Sequence, residues 1–459
     1  ASWLERAAGD RAAEYEEIIA YHLEQAYRYR EELGPVGEED RAVARRAAEL
    51  LIEAGRRAAA RGDVAAATTL LERARRLLPP GDPVRLELIP DLSASMSHLG
   101  RLSDVKTYLN EALHEAAAAG DPRLEMYALL AEMELRLATN EGYSTREGAE
   151  LARRAIRLFE ELGDDQGLVL AWGALANSHW IEARWASMRE PVERARAHAR
   201  RAGDRVRTSS YQNWHLSVDF WGTTPAPEGI RRCEEALEKA ETRYDRAQIL
   251  RNLGSFVAMR GRFDEARSME EEARAILEDL GSNVSAKNIS FQTGPLEMLA
   301  GDPVAAEREL RETFDYLREI GEKGWLSSIA AFLAEALYTQ GRYEEAERYL
   351  LASKEAANPD DGSAQSGWRT VMGKVLARRG ELEEGERIAR EAVAIIERTD
   401  EIDHQGQAWL DLAEVLHLAG KAGDARMAVE EAVERFERKG NLIMAQRARV
   451  LLEDFSSPA

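Results

Sequence analysis

A short turn built around glycine recurs along the chain at an interval of about 40 residues, and this repeat restricts the fold more than any other feature of the sequence. The last five turn glycines are 40, 40, 39 and 40 residues apart: Gly261, Gly301, Gly341, Gly380 and Gly420. Two earlier turns of the same kind contain Gly62 and Gly100. Three degenerate turns follow near Gly142, Ala183 and Trp221. A fixed period of this length indicates a stack of about ten helix-turn-helix units, each packed on the next.

Small residues stand at fixed distances from each turn, as two closely crossing helices require. Seven residues before the turn the side chain is small: Gly55, Ser93, Ala176, Gly254, Gly294, Gly373 or Ala413. Alanine recurs five and twelve residues after the turn, as at Ala67, Ala266, Ala306, Ala346, Ala425, Ala74, Ala112, Ala195, Ala273, Ala392 and Ala432. The single cysteine, Cys233, falls twelve residues after Trp221, in an alanine position. We therefore predict that it is a buried packing thiol.

Composition agrees with this fold class. The 459 residues exceed what one compact core supports, proline is held to 13, and no segment alternates apolar and polar residues as a strand would. We predict an all-α chain in which residues 41–440 form the solenoid. Residues 1–40 are a helical cap or junction, with helices from Ala1 to Leu33, and residues 441–459 are a capping helix and tail.

Several classes of function are disfavoured by the sequence. A formal net charge of −21 opposes binding to nucleic acid, because such binding rests on cationic side chains. Phosphate-loop, zinc-ligand and nucleophile motifs are missing, so we expect no enzyme activity and no cofactor. No apolar run is long enough to predict a membrane span. One cysteine fits a reducing compartment, and we expect a cytoplasmic protein.

The spacing of small residues around each turn resembles the tetratricopeptide repeat. In that family a small residue precedes the turn by seven positions and an alanine follows it by five. The family unit is shorter than the interval found here, which matches a longer variant of bacterial regulators. The resemblance implies a right-handed alpha-alpha solenoid of paired helices.

A second resemblance covers the segment from Tyr15 to Tyr27, with the sequence YEEIIAYHLEQAY. It is similar to the segment that follows a signal-transduction ATPase module in large bacterial proteins, in which a cyclase or a transcription activator comes first and tetratricopeptide-like repeats come last. The chain also begins without an initiator methionine, so we expect a fragment of a longer protein. The resemblance implies that the repeats sense or transmit a signal and that catalysis lies upstream.

Binding residues are predicted by counting back from each turn, because the first helices of stacked pairs line the inner groove. Positions about thirteen, ten, six and three residues before the turns carry polar and aromatic side chains: Asn177, Trp180, Tyr211, His215, Asp219, Gln248, Arg251, Ser255, Asn288, Phe291, Met298, Ser328, Glu335 and Tyr338. Solvent-facing positions of a solenoid require neither polar specificity nor aromatic rings. We expect a partner or ligand to contact these residues.

Tryptophan is concentrated in the irregular middle of the array. Five of the nine tryptophans lie within fifty residues: Trp172, Trp180, Trp185, Trp214 and Trp221. One interpretation is that oversized core residues compensate for the poor repeats around them. The other is an aromatic-walled pocket with Asn177, His215 and Arg251 as polar groups.

Two functions therefore follow from the sequence. The first is a solenoid that binds a protein or peptide in its groove, including the ATPase module of its own polypeptide. The second is a small-molecule sensor whose aromatic pocket lies around residues 172–256. Self-assembly is a third option, but the charged last helix of the final pair, from Glu430 to Lys439, is typical of a solvated cap.

Overall fold

The structure is a computed structural model that describes residues 12–454, with side-chain surroundings for residues 16–453. Every regular element in the described part is a helix, as the sequence predicts. None of these helices combines the length and the apolar character that crossing a bilayer requires. The short helix predicted at the start of the chain lies outside the described residues.

The helices are numbered α1 to α24 in chain order. The first twelve are α1 Ala12–Leu33, α2 Glu38–Ala60, α3 Val64–Leu77, α4 Pro83–Glu87, α5 Ile89–His98, α6 Leu102–Ala119, α7 Pro122–Thr139, α8 Thr145–Leu162, α9 Asp165–Ile181, α10 Trp185–Arg201, α11 Arg205–Trp221 and α12 Ala226–Leu237. The others are α13 Arg243–Met259, α14 Phe263–Asp279, α15 Asn283–Lys287, α16 Ser290–Ala300, α17 Pro303–Ile320, α18 Gly324–Thr339, α19 Tyr343–Ala356, α20 Gly362–Arg378, α21 Leu382–Ile396, α22 Ile402–Leu418, α23 Ala422–Lys439 and α24 Leu442–Asp454.

The helices form first and second members of pairs with the predicted turns between them, and α4 with α5 and α15 with α16 each make up one interrupted first member. Backbone φ is positive at eight turn glycines, and Ala183 takes the same left-handed conformation with φ 51°. Local caps fix several helix starts: Asp164 accepts a hydrogen bond from the backbone of Gly167, and Asp302 accepts one from Ala305. Such aspartates satisfy amides that the first helical turn leaves open.

The small-residue positions lie inside the packing between helices. Ala67, Ala266, Ala306, Ala346 and Ala425 are all fully buried. Cys233 is buried as predicted, and burial raises the pKa of its thiol to about 12. A thiol that stays protonated and shielded from solvent is a packing group, so its prediction as a structural cysteine is confirmed.

The chain divides into two compact units, and each is described by itself. Unit 1 contains residues 1–135 and 278–284, and its helix pairs are built on α1 to α6. Unit 2 contains residues 136–277 and 285–459 and carries all of the predicted binding positions. The division passes through α7, α14 and α15.

Within unit 2, loops late in the chain contact turns early in the chain. Asn140 donates to the backbone oxygen of Ala356, and the Asn358 amide donates to Asn140 at 2.6 Å. The bonds of this kind join residues 185–220 positions apart. We call this line of contacts the seam; it joins residues 137–145, 182–186 and 219–226 to residues 322–323, 356–362, 399–401 and 439–441.

The seam caps helices with side chains that are distant in sequence. Asp360 accepts a hydrogen bond from the Thr145 backbone at 2.9 Å, at the start of α8. Asp400 accepts from the backbone amides of Trp185 and Ala186 at 2.7 and 2.6 Å, at the start of α10. Neither α8 nor α10 has a side-chain cap from its own N-cap residue. The long-range aspartates therefore satisfy amides that the local sequence leaves open.

The end of α11 is capped in the same manner by a buried cation. The Lys439 ammonium donates to the backbone oxygens of Asp219, Phe220 and Gly222, the first and last at 3.2 and 2.7 Å. Lys439 is fully buried, and burial lowers the pKa of its ammonium to about 8. A cation at the negative end of the helix dipole stabilises this closure.

A buried carboxyl beside the seam gives stability a dependence on pH. Glu322 is 6% exposed, and its carboxyl accepts a hydrogen bond from the backbone N–H of Trp325. The residue that follows Glu322, Lys323, donates its backbone N–H across the seam to the backbone oxygen of Ala138 at 2.8 Å. Burial raises the pKa of the Glu322 carboxyl to about 8, against the lowering effect of backbone amides. The folded state therefore holds a proton that the unfolded chain releases near pH 4.5.

We expect the Glu322→Gln variant to lose less stability than the natural chain as pH rises from 6 to 8. Between these pH values the Glu322 carboxyl is protonated in the folded state and ionised in the unfolded state. Its contribution therefore lowers the free energy of unfolding by about 1.4 kcal/mol for each unit that the pH rises. Urea unfolding followed by circular dichroism at several pH values measures the difference between the two slopes. Glu319→Gln, at an exposed position, is the matched control. Parallel slopes for the natural chain and Glu322→Gln would contradict the assignment.

Candidate partner-binding groove

Amide side chains form two rows on neighbouring first helices of unit 2. Gln212, Asn252 and Gln292 each stand nine residues before a turn, at 40-residue intervals on α11, α13 and α16. Gln248 and Asn288 stand thirteen residues before the turns of α13 and α16. An amide offers both a donor and an acceptor, so these rows place paired hydrogen-bonding groups along adjacent repeats.

Arg251 lies between the two rows and links them. Its guanidinium donates to Gln248 Oε1 at 3.0 Å and to Gln292 Oε1 at 2.9 Å. The side chain is half-buried, and no carboxylate of a described residue lies within 4.0 Å of its nitrogens. Burial lowers the pKa of this guanidinium, with Glu270 and Tyr244 acting in the opposite sense. The positive charge is thus held by neutral partners.

Five aromatic rings from four helix pairs form a closed circuit inside unit 2, which we call the central aromatic cluster. Trp180 lies 5.3 Å from Trp325, which lies 4.9 Å from Phe291. Phe291 lies 5.3 Å from Trp221, and the circuit closes through Trp185 at 6.2 Å from both Trp221 and Trp180. Edge-to-face and tilted arrangements at these distances are favourable ring contacts. Phe291 is adjacent to Gln292, so the cluster borders the amide rows.

The predicted site residues fall into two sets. Those that are half-buried are Asn177, Trp180, His215, Gln248, Arg251, Phe291, Met298, Ser328 and Glu335. Those that are buried are Tyr211, Asp219, Ser255, Asn288 and Tyr338. The structure brings Gln248 together with Arg251, and it brings Trp180 and Phe291 together through Trp325. It does not bring Asn177 or Ser328 into this group by any hydrogen bond.

Internal bonds occupy several of the predicted groove residues. Tyr211 donates to the Val169 backbone oxygen, Ser255 donates to that of Arg251, and His215 pairs with Glu193 at 3.1 Å. Burial lowers the pKa of His215. The polar groups of these three side chains are engaged inside the protein, so we leave them out of the candidate groove. Asn252 donates one amide N–H to the Gln248 backbone and accepts from Ser217, and its second amide N–H keeps it in the groove.

Two of the predicted site residues are acidic, and both belong to buried ion networks. Asp219 accepts hydrogen bonds from Arg189 at 2.6 Å and from Arg232 at 2.8 Å, next to the seam. Glu335 accepts from Lys374 at 2.7 Å with both oxygens, and Lys374 itself is 2% exposed. Both carboxylates are neutralised within unit 2, because closure of the seam and stacking of the repeats enclose them.

Sequence reasoning missed four residues of the candidate site: Gln212, Asn252, Gln292 and Trp325. Asn252 and Gln292 stand one residue after the inner positions that were counted, and a search for amides at 40-residue intervals could have found them. Trp325 lies near the start of α18, before the counted positions begin. No local pattern marks it as a neighbour of Trp180, since the two are 145 residues apart.

One further departure from the repeat pattern lies in the same helix pair as Arg251. Nine residues after the turns the side chain is apolar in the other clear repeats, as at Leu71, Leu109, Leu310 and Leu350, but after Gly261 it is Glu270. Glu270 is 1% exposed, and neither carboxyl oxygen has a hydrogen-bond partner. Burial raises the pKa of this carboxyl well above its ordinary value, against the opposing charges of Arg251 and Arg274.

Comparison with known families agrees with the repeat pattern. A tetratricopeptide repeat family matches residues 365–438, and a second tetratricopeptide repeat family matches residues 246–280 and 327–355. A search of curated proteins gives no match to the chain.

Solved structures with the same kind of fold are similar to this one. The APC/C hetero-tetramer Cut9-Hcn1 has a chain with a TM-score of 0.56 and 11% identity, over 99% of this chain and 95% of that one. The ligand-bound structure of phAimR gives a TM-score of 0.47 and 10% identity, over 84% and 92%. A Rap protein complexed with competence and sporulation factor gives 0.39 and 10%, over 81% and 98%. At 11% identity the similarity to the Cut9-Hcn1 chain shows the fold alone. The chain is therefore an all-α solenoid of tetratricopeptide-like helix pairs, with tetratricopeptide repeats in residues 246–280, 327–355 and 365–438.

Proposed function

We propose that unit 2 binds a segment of a protein or peptide along the inner faces of α11, α13 and α16. The observation that carries this proposal is the pair of amide rows, Gln212, Asn252 and Gln292 beside Gln248 and Asn288, with Arg251 between them. Repeat proteins use surfaces that extend over adjacent repeats to hold extended partners. The rows supply side chains suited to a peptide backbone, which presents one donor and one acceptor per residue.

Burial and incomplete bonding support this choice of face. Asn288 is 5% exposed and its Oδ1 has no hydrogen-bond partner. An acceptor left open inside a protein costs free energy, which a donor from a bound segment would recover. The Cut9-Hcn1 hetero-tetramer, which has a chain of similar fold, also contains a second protein. Binding without catalysis is the function that these groups fit, since they position a partner and form no nucleophile or proton-transfer set.

Replacing Gln248, Arg251 and Gln292 together by alanine should abolish partner capture. The variant loses one amide from each row and the guanidinium that links them. We expect partner recovery at least tenfold lower than for the natural chain, since charge-assisted hydrogen bonds are worth about 1.5–3 kcal/mol each. The measurement is affinity capture from the source cell with quantitative mass spectrometry. Helix content and unfolding midpoint should stay close to those of the natural chain.

A matched control uses the outer helix of the same pair. Arg262→Ala removes an exposed ion pair with Glu265 on α14 and should leave capture unchanged. If the triple variant captured the same proteins in the same amounts as Arg262→Ala, the groove assignment would be wrong.

We extend the proposal to a partner within the same polypeptide. The segment from Tyr15 to Tyr27, which resembles the junction after a signal-transduction ATPase module, lies on α1. Several apolar side chains of α1 are exposed, namely Ile18, Tyr21, Tyr29 and Leu33. Such a row suits contact with a neighbouring domain. Hydrogen exchange at α1, compared between this chain alone and the chain fused behind a signal-transduction ATPase module, tests it: equal exchange in both would remove the ATPase module as a neighbour.

Effector sensing is the second candidate, and the central aromatic cluster is the observation that favours it. The cluster contains four tryptophans, of which Trp221 and Trp325 contact Phe291, and it borders the amide rows that Arg251 links. A small aromatic effector that displaced one ring would change tryptophan fluorescence. Titration with a panel of metabolites should then give a saturable signal that the Trp180→Phe variant alters. A flat response to every compound would exclude this alternative.

A further inference from the structure

At the middle of the seam a buried carboxylate joins two distant parts of unit 2. Glu401 is 2% exposed, and its Oε1 accepts a hydrogen bond from the Trp185 indole N–H at 2.8 Å. Its other carboxyl oxygen, Oε2, lies 2.7 Å from Nδ1 of His404, in the first turn of α22. The His404 ring is 5.4 Å from that of Trp221, which lies 6.2 Å from the ring of Trp185. The four side chains therefore form a closed circuit across the seam.

Glu401 depends on the positive charge of His404, because the other charges near the seam do not balance it. A carboxylate withdrawn from water is costly unless a cation accompanies it. Lys439 also acts on this region, but its ammonium is engaged by three backbone oxygens at the end of α11. The other charged groups around the circuit are acids or are paired with each other: Asp361 before α20, Asp400 before α22, Asp403 on α22, Asp219 with Arg189 and Arg232, and Glu182 with Arg184.

His404 holds its proton more firmly when the seam is closed. Burial acts to lower its pKa, but the contact with Glu401 and the charge of Asp403 outweigh burial and raise the pKa above 6.5. The side chain keeps 31% of its surface exposed, so the proton can exchange with solvent without unfolding. The circuit therefore keeps its cation at pH 6.5 and below, and loses it as the pH rises through the raised pKa.

Asp361 responds to pH in the same direction. It caps α20, where it accepts the backbone N–H of Ala364 at 2.8 Å. Burial, together with the nearby charge of Glu401, raises its pKa to about 7, against the effect of the backbone amides. A rise in pH therefore adds a negative charge near Glu401 while His404 loses its positive one. Lys439 responds in the opposite sense, but its pKa of about 8 places that response at higher pH.

We propose that Glu401 and His404 make the seam a proton-operated latch, which holds unit 2 closed while His404 is protonated and releases it when the imidazole becomes neutral. Release separates residues 182–186 from residues 399–401. It also exposes Trp185 and Trp221, two rings of the central aromatic cluster. The latch thus links exposure of this cluster to pH, and its operation requires no bound partner.

Hydrogen exchange at single amides, read by mass spectrometry between pH 6 and pH 8, tests the latch. The amides of Trp185 and Ala186 donate to Asp400 across the seam. The amide of Ala305 donates to Asp302 within its own repeat and serves as the internal reference. We expect protection at the two seam amides, relative to the reference, to fall by about tenfold for each pH unit over which one proton is lost. Constant relative protection from pH 6 to pH 8 would overturn the proposal.

Two variants separate the charges from the shapes of the side chains. His404→Gln keeps a hydrogen-bond donor but has no charge, so its seam amides at pH 6 should be as weakly protected as those of the natural chain at pH 8. Glu401→Gln keeps an acceptor for Trp185 without a negative charge, so its seam should stay protected at both pH values. All the proteins retain Glu322, so the pH dependence that this residue contributes is common to them.

His198→Gln is the matched control, because His198 pairs with Asp165 at 2.7 Å within one helix pair. It should reproduce the pH profile of the natural chain. If His404→Gln kept that profile, or if Glu401→Gln lost protection as fully as His404→Gln, the contact would only pack the seam and the latch would be wrong. Glu401→Gln and the natural chain decide the question by themselves if His404→Gln does not fold: a flat profile for Glu401→Gln supports the latch, and a profile parallel to that of the natural chain overturns it.

Discussion

Replacing Glu270 with leucine should stabilise unit 2 by about 2–4 kcal/mol, because the change removes a buried polar group without partners and adds apolar burial. Leucine already fills the equivalent position in the next repeat. There Leu310 is fully buried against Gly294, with its Cδ2 2.7 Å from the position that a Cβ of Gly294 would take. Glu270 faces Gly254 in the same manner, with Oε1 2.8 Å from the corresponding position. The shape of the site therefore accepts leucine.

The measurement is urea unfolding of the natural chain and of the Glu270→Leu and Glu270→Gln variants. Glutamine keeps the shape and the polar burial, so it should gain much less than leucine. The reciprocal change, Leu310→Glu, is the matched control and should cost roughly 3–5 kcal/mol, since it buries a carboxyl and loses a packed side chain. A Glu270→Leu variant that unfolds at a lower urea concentration than the natural chain would contradict the prediction.

A residue that lowers stability in this manner needs a reason elsewhere in the molecule. Departures from local packing rules concentrate at functional sites, where stability is given up for binding. Glu270 acts electrostatically on Arg251, which lies between the amide rows. The same repeat thus carries the unpaired acid and the unpaired cation. Glu270→Leu separates the effect of Glu270 on stability from the part that Arg251 plays in binding, because the variant should leave the Arg251 guanidinium charged and in place.

The helix pairs could be predicted because their information is local. A turn glycine, a small residue seven positions before it and an alanine five after it are each required by contacts within one pair. Ala266 and Ala306 are fully buried, and Cys233 occupies the alanine position that the count assigned to it. The regular repeats between Gly261 and Gly420 follow this pattern closely, so their pairing was evident from the sequence.

The seam could not be predicted, because it joins residues 185–220 positions apart. Its effect on the sequence was visible as irregular turns near Gly142, Ala183 and Trp221. At these turns Asn140 and Ala183 have positive φ, and each takes part in a seam hydrogen bond. Turns such as Gly341 and Gly380 have open space where a Cβ would project. These three turns therefore depart from the repeat pattern because later loops pack against them. The same packing buries Asp219.

Removing the two long-range caps should open the seam at a modest cost in stability. In the Asp360→Ala, Asp400→Ala double variant the first amides of α8 and α10 lose their acceptors, at roughly 1 kcal/mol for each cap. Trp185 lies at this point, with its indole nitrogen donating to Glu401 at 2.8 Å, and it is part of the central aromatic cluster. Opening should expose these rings, so acrylamide quenching of tryptophan fluorescence should increase.

Asp302→Ala is the matched control, because Asp302 caps α17 within its own repeat and away from the seam. Asp302→Ala should lower the free energy of unfolding by about as much as the loss of one of the two seam caps. It should leave acrylamide quenching unchanged, since α17 packs beside its neighbours whether the seam is open or closed. If the double variant and Asp302→Ala showed the same quenching, stacking of neighbouring repeats and ring contacts alone would hold unit 2 closed. The aspartates would then stabilise α8 and α10 only locally. Increased quenching in the double variant alone would show that closure depends on polar caps, and such caps can be broken without dismantling the helix pairs that carry the groove.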